Sequence, residues 1–228
     1  MDTAEITNRI LKGIDEDPAA PSEGVAEEVR TYIQEGQSLF AWLTLCLETT
    51  TTWSLSGAFG SLRPTFPDFL VPLKVEIDGV RVRPATLAEL DSINTAWQST
   101  AATPTRYCML GFQFYSISPQ AAVTATITYA RSPQESPGEV FLEIPDEYHP
   151  ALVCYGIYRA RLKEGAQGLE RGMKYFNDFL DDCTRMGDFV RARSQASRYD
   201  TLPIELKLFD RSRLMLKPPK PQRGNKPM

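Results

Sequence analysis

His149 is the single histidine of the sequence, so any Ser-His-Asp relay would have to be built on it, with Asp146 and Glu147 as its nearest acids. Adjacency along a chain is not the convergent geometry of a triad. Acidic residues just ahead of an apolar periodic run suit the positive end of a helix dipole, and the pattern predicts a helix start rather than a catalytic centre. Asp178, Asp181 and Asp182 stand three or four apart, a spacing that shares a helix face and could suit a hard divalent cation. Lys174 and Arg185 lie four residues from Asp178 and Asp181, so helical charge pairing on a solvated face is the expectation. Gly165 and Gly168 lack the Gly-Lys-Ser/Thr sequence and preceding strand of a phosphate loop, and are expected to join helices. Cys46, Cys108, Cys154 and Cys183 form no CxxC pair. They are expected to be reduced thiols, Cys154 and Cys183 acting as small hydrophobes in apolar stripes. No catalytic residue, metal or cofactor is expected, and the chain is read as a non-enzyme.

The charged feature with a functional reading is the C-terminus. From Arg191 to Met228 ten Lys or Arg stand against Asp200, Glu205 and Asp210, a balance of +7. The whole chain carries −4, which leaves −11 on the preceding 190 residues. An acidic body with a basic tail suits an acidic protein surface or nucleic acid. The cations are interleaved with Leu202, Ile204, Leu206, Leu208, Phe209, Leu214, Met215 and Leu216, and apolar anchors fit pockets on a folded partner, whereas duplex DNA rewards mainly the charges. Arg198, Tyr199, Leu202, Ile204, Leu206, Lys207, Leu208, Phe209, Arg211, Arg213, Leu214, Met215, Leu216 and Lys217 are therefore the candidate docking residues. A DNA-binding accessory protein using the same tail is the alternative, and a hydrolase with no visible site is a third.

The elements that must position this tail follow from periodicity. Residues 3–14 predict a short helix. A longer one is expected from Ser22 to about Glu48, where Val25, Val29, Tyr32, Gly36, Phe40, Leu43 and Leu47 share a face. Thr49 to Thr52 end it, because β-branched side chains favour extended backbone. Leu73 to Val82 alternates around Asp78-Gly79 and predicts a hairpin; TLAELDSI predicts a one-turn helix. Tyr107–Ile117 and Ala122–Ala130 predict two further strands, the second with Val123, Ala125, Ile127 and Tyr129 on one face and threonines on the other. A buried helix is expected after Asp146, broken by the glycines at 165 and 168. A last helix follows with Leu169, Met173, Phe176, Leu180, Cys183 and Val190 in one stripe. The expected fold is α+β: N-terminal helices over 1–52, a β-rich antiparallel insertion over 53–143, C-terminal helices over 144–197 and an extended arm over 198–228. No run of apolar residues approaches a membrane span and no signal-peptide pattern opens the chain, so a soluble, unsecreted protein is expected.

YIQEGQSLF, Trp97-Gln98 followed by Pro104 and Tyr107, FQFYSISP, ATITYAR and IPDEYHPALVCYGIYRARLKEG stand in an order that resembles the phage adaptor family over roughly Val25 to Val190. LTLCLETTTTWSLSGAFGSL does not follow the shared pattern. The resemblance implies a structural head-to-tail adaptor of a podovirus-like particle, assembled in the host cytoplasm and carried in the virion. It also implies a ring of twelve copies between the portal protein above and the tail nozzle below. Genomic DNA would pass through the lumen without sequence-specific binding, no membrane would be involved, the β part would face the tail, and the arm would dock on the portal.

Overall fold

The computed structural model describes residues 1–93, 95–99, 104–111, 113–134 and 140–203. The first helix, α1 (Thr3–Gly13), is capped by Asp2, whose carboxylate accepts the Glu5 N–H at 2.7 Å. It buries Ile6, Ile10 and Leu11. The second, α2 (Val25–Thr44), begins three residues after the expected start. Ser22 spends its hydroxyl and N–H on Glu16 instead, and Gly24, at φ 80°, turns the chain into the helix. It ends where Leu45 enters the left-handed region at φ 53°, four residues ahead of the threonine run, with the Leu45 N–H donating to Ala41 O. The threonines then extend as expected, so the first strand, β1 (Glu48–Ser61), opens five residues ahead of the boundary expected at 53.

The hairpin forms as read: β2 (Phe69–Ile77) and β3 (Val80–Pro84) are joined by Asp78 and Gly79 at φ 49° and 76°. Two positive φ angles give the turn whose twist matches the strands. Helix α3 (Leu87–Ile93) carries a reciprocal cap between Thr86 and Glu89. The expected strand Tyr107–Ile117 is instead two. β4 (Arg106–Leu110) stops at Gly111, φ 59°, and β5 (Gln113–Arg131) runs on for 19 residues through the expected gap before Ala122. A positive φ reverses the chain there, an option that alternation of apolar residues does not encode.

The sheet order is β1-β5-β2-β3-β4, with β4 also pairing with β5. All pairings are antiparallel except β3 with β4. Because β5 pairs with β2 through Ala125–Arg131 and with β4 through Gln113–Ser116, four strands make a circuit around an apolar core that includes Phe66, Phe69, Val75, Tyr107, Phe114 and Ile127. Tyr107 stacks on Phe114 with centroids 5.5 Å apart.

A single turn (Asp146–Tyr148) leads into α4 (His149–Arg161), which carries Pro150 in its first turn, and a second turn (Leu162–Glu164) leads into α5 (Ala166–Ala196). The turn Leu162–Glu164 and Gly165 (φ 78°) separate the two helices. Gly168 lies inside α5, where an added Cβ would fall 2.0 Å from Arg161 O, so it serves close approach rather than a break. Helices α1, α2, α4 and α5 share a second core. Its centre is Phe179, fully buried and 5.1 Å from Tyr155 and 6.2 Å from Phe40, centroid to centroid. Phe176, expected in the buried stripe, is only half-buried and stacks on Tyr158 at 4.5 Å.

Candidate docking surface and its anchor on the body

The arm was expected to leave the body after Ser197, and the described residues correct that boundary. Past α5, Arg198 adopts φ 56° and the Tyr199 N–H returns to Ser194 O at 2.9 Å, a helix ending that turns the chain back toward the sheet. Tyr199 then packs with Leu45, Val71, Leu73 and Ala130. Burial first, and then the neighbouring Glu48 carboxylate, push its phenol pKa up. The Asp200 N–H donates to Leu73 O at 2.7 Å. Its carboxylate accepts Arg81 at 2.8 Å and the Tyr107 hydroxyl at 3.3 Å, while Arg81 also donates to the Arg198 carbonyl. The Asp200 side chain is 9% exposed. At the end of this strap Arg191 donates to Pro203 O at 3.0 Å, and Pro203 is buried.

Residues 198–203 are thus a clasp that ties the end of α5 to β2, β3 and β4. Of the candidate docking residues, Tyr199 is consumed by packing on the body, Arg198 has its carbonyl held while its side chain is exposed, and Leu202 is 38% exposed. Ile204, Leu206, Lys207, Leu208, Phe209, Arg211, Arg213, Leu214, Met215, Leu216 and Lys217 lie outside the described residues. Asp200 was missed from sequence. The available signal was that it is the lone acid between Asp188 and Glu205, in a basic stretch.

A second polar joint holds the segment between β5 and α4. Gln37, on α2 and 1% exposed, donates its amide to Phe141 O at 2.7 Å and accepts the Glu143 N–H at 2.8 Å. Glu143 meets Arg131 at the end of β5. Burial pushes the Glu143 carboxyl up, but hydrogen bonds from Arg131 and the Gln134 N–H, with the Arg131 charge, outweigh it and hold the group below the ordinary carboxylate range.

The other chemical candidates take structural places. His149 is 2% exposed; its ring nitrogens face Met1 O at 2.8 Å and Ile144 O at 3.1 Å. With Asp146 3.5 Å away at 87% exposure, the imidazole pins the chain start and the α4 entry together. Arg185 pairs with Asp182, three residues away. Among the described residues no group of three or more His, Cys, Asp or Glu is placed to hold a metal ion. All four cysteines are free. Burial, then Asp178 and Asp182, push the Cys154 thiol up to about 11, so it stays protonated at neutral pH and is a poor nucleophile. A hollow of about 170 Å³ between the α1–α2 turn, α2 and the end of α4 is lined by Glu16, Val29, Tyr32 and Lys163 among others. That is below the ~300 Å³ of small-molecule sites. No helix among the described residues is long and apolar enough to cross a membrane.

These features define a class: an α+β protein in which the Gln37 joint and the Asp200 clasp tie a helical body to a β unit. The family model for the SU10 adaptor protein matches residues 1–203, and the chain belongs to that family, with a structural role as a phage adaptor. The match stops at the residue where the clasp ends. No curated protein matches the chain.

Proposed function

We propose that this protein is a head-to-tail adaptor of a podovirus-like particle, forming a ring of twelve copies between the portal and the tail nozzle and lining the channel through which genomic DNA passes. The observation that carries the reading is the family match across the helical body, the β unit and the clasp. The body supplies the ring wall and the β unit faces the tail. The chain beyond Pro203 docks on the portal, with Arg211, Arg213 and Lys217 meeting an acidic rim and Leu214, Met215 and Leu216 filling pockets.

Energetics support a mixed anchor. Fixing backbone costs on the order of 1 to 2 kcal/mol per residue, more than screened surface charges return, so apolar anchors must contribute. Twenty-five residues follow Pro203, and fully extended they would span on the order of 80 Å, enough to pass from one ring to the next. Bodies of net charge −11 repel one another, so free subunits are expected to be monomeric by analytical ultracentrifugation until a partner neutralises and orders them.

Co-sedimentation with purified portal rings tests the reading. Full-length protein should be retained, and a chain ending at Pro203 should stay folded and be released. Equal retention of both would assign the contact to the body. Retention by DNA but not by portal would overturn the adaptor reading in favour of a DNA-binding accessory protein.

A further inference from the structure

Among the described residues β1 pairs only with β5, and does so in continuous register from Glu48 opposite Ala130 to Leu55 opposite Val123. Alternate residues of such a strand turn their N–H and C=O away from the partner, so its outer side offers hydrogen bonds to an incoming strand. Long edges are ordinarily blunted by Lys, Pro or a bulge. Thr49 to Leu55, TTTTWSL, has no charge and no proline, and the register shifts begin only beyond Leu55.

The core-facing row also runs out at this strand. On β5, Ala125 and Ile127 are fully buried and Tyr129 nearly so, whereas their partners on β1, Trp53, Thr51 and Thr49, are only half-buried. Thr50, Thr52 and Ser54 are exposed on the other face. A strand that completed the sheet would need apolar residues at alternate positions beside Trp53 and polar ones between. Residues 204–209, IELKLF, supply that alternation in Ile204, Leu206 and Leu208 against Glu205 and Lys207.

We propose that the β1 edge of one copy receives residues 204–209 of a neighbouring copy as an added strand, closing the sheet and linking adjacent subunits. The proposal rests on the adaptor reading only for placing copies side by side, and it leaves the basic residues from Arg211 onward for the portal. The occupant follows from where the described chain ends. Tyr199 lies beside Glu48 of β1, but Asp200 bonds Leu73 of β2 and Arg81 of β3, so the strap moves away from its own β1 before Arg191 holds Pro203. Residues 1–203 carry −9 and residues 204–228 carry +5, so an arm is attracted to the bodies beside it.

The test uses two full-length pools with different tags. One carries Thr52→Cys; the other carries Glu205→Cys, Lys207→Cys or Phe209→Cys, three positions that cover successive registers of the added strand. The pools are mixed, assembled on portal rings and oxidised, and peptides joining position 52 to the arm are sought by mass spectrometry. The expected result is a link between differently tagged copies for at least one arm position, lost when Leu206→Asp and Leu208→Asp are added to the arm. No link in particles that retain both pools on the portal would overturn the strand addition while leaving the adaptor reading intact. A link formed only within a doubly substituted single chain would also overturn it, because the arm would then serve its own sheet. Failure of unsubstituted chains to bind portal at all would instead count against the adaptor reading.

Discussion

Gln37→Leu removes the one side chain that satisfies both the Phe141 carbonyl and the Glu143 N–H, at nearly constant volume. A buried backbone group left without a partner costs about 1 to 3 kcal/mol. Phe141 is 49% exposed, so its carbonyl can recover water and falls at the low end. The Glu143 N–H, beside the buried Gln37 side chain, falls nearer the middle. The sum is about 2 to 4 kcal/mol, a large part of the roughly 5 to 15 kcal/mol by which a domain is stable. For a chain of this size each kcal/mol moves the melting temperature by about 2 to 4 °C, so a fall of roughly 5 to 15 °C is expected by circular dichroism. Hydrogen exchange should rise first in residues 140–148, because the joint between β5 and α4 opens before either core melts. A melting temperature within about 2 °C of the parent, with unchanged exchange in that segment, would refute the reasoning. Gln37 would then be packing filler rather than the joint.

Phe179→Ala empties the centre of the helical core and should cost about 3 to 5 kcal/mol in urea denaturation, whereas half-buried Phe176→Ala should cost less; the reverse order would show the core to be misplaced. Glu143→Gln removes a carboxylate whose folded pKa is depressed. Its contribution is present above the unfolded value of about 4.3 and lost as pH falls through the folded one, so the parent's advantage over the variant should be full at pH 6 and shrink below about pH 4.5 in parallel melts. Asp200→Ala removes the acceptor of the Tyr107 hydroxyl and one of the two acceptors of Arg81, the other being the Arg198 carbonyl, and should cost about 2 kcal/mol and speed tryptic cleavage after Arg198; an unchanged cleavage rate would mean that the Tyr199 packing alone holds the strap.

The α+β class, the helical stripes, the Asp78-Gly79 hairpin and the shared face of Ala125, Ile127 and Tyr129 were legible in the sequence. Each rests on periodicity or on turn chemistry confined to a few neighbouring residues. So was the basic, apolar character of the C-terminal arm. Only the tertiary structure decided that Gly111 divides one expected strand while β5 joins its second half to the strand expected from Ala122, because continuity depends on which partners hydrogen-bond along it. Only it placed Phe179 rather than Phe176 at the centre of the helices, since a stripe names a face but not the depth to which a neighbour covers it. The same holds for Asp200 and Gln37, whose partners lie 119 and 93 residues away in Arg81 and Tyr107, and 104 and 106 away in Phe141 and Glu143. A side chain's local sequence says what it can donate or accept. Which buried group it must satisfy is set by the packing of elements far apart in the chain.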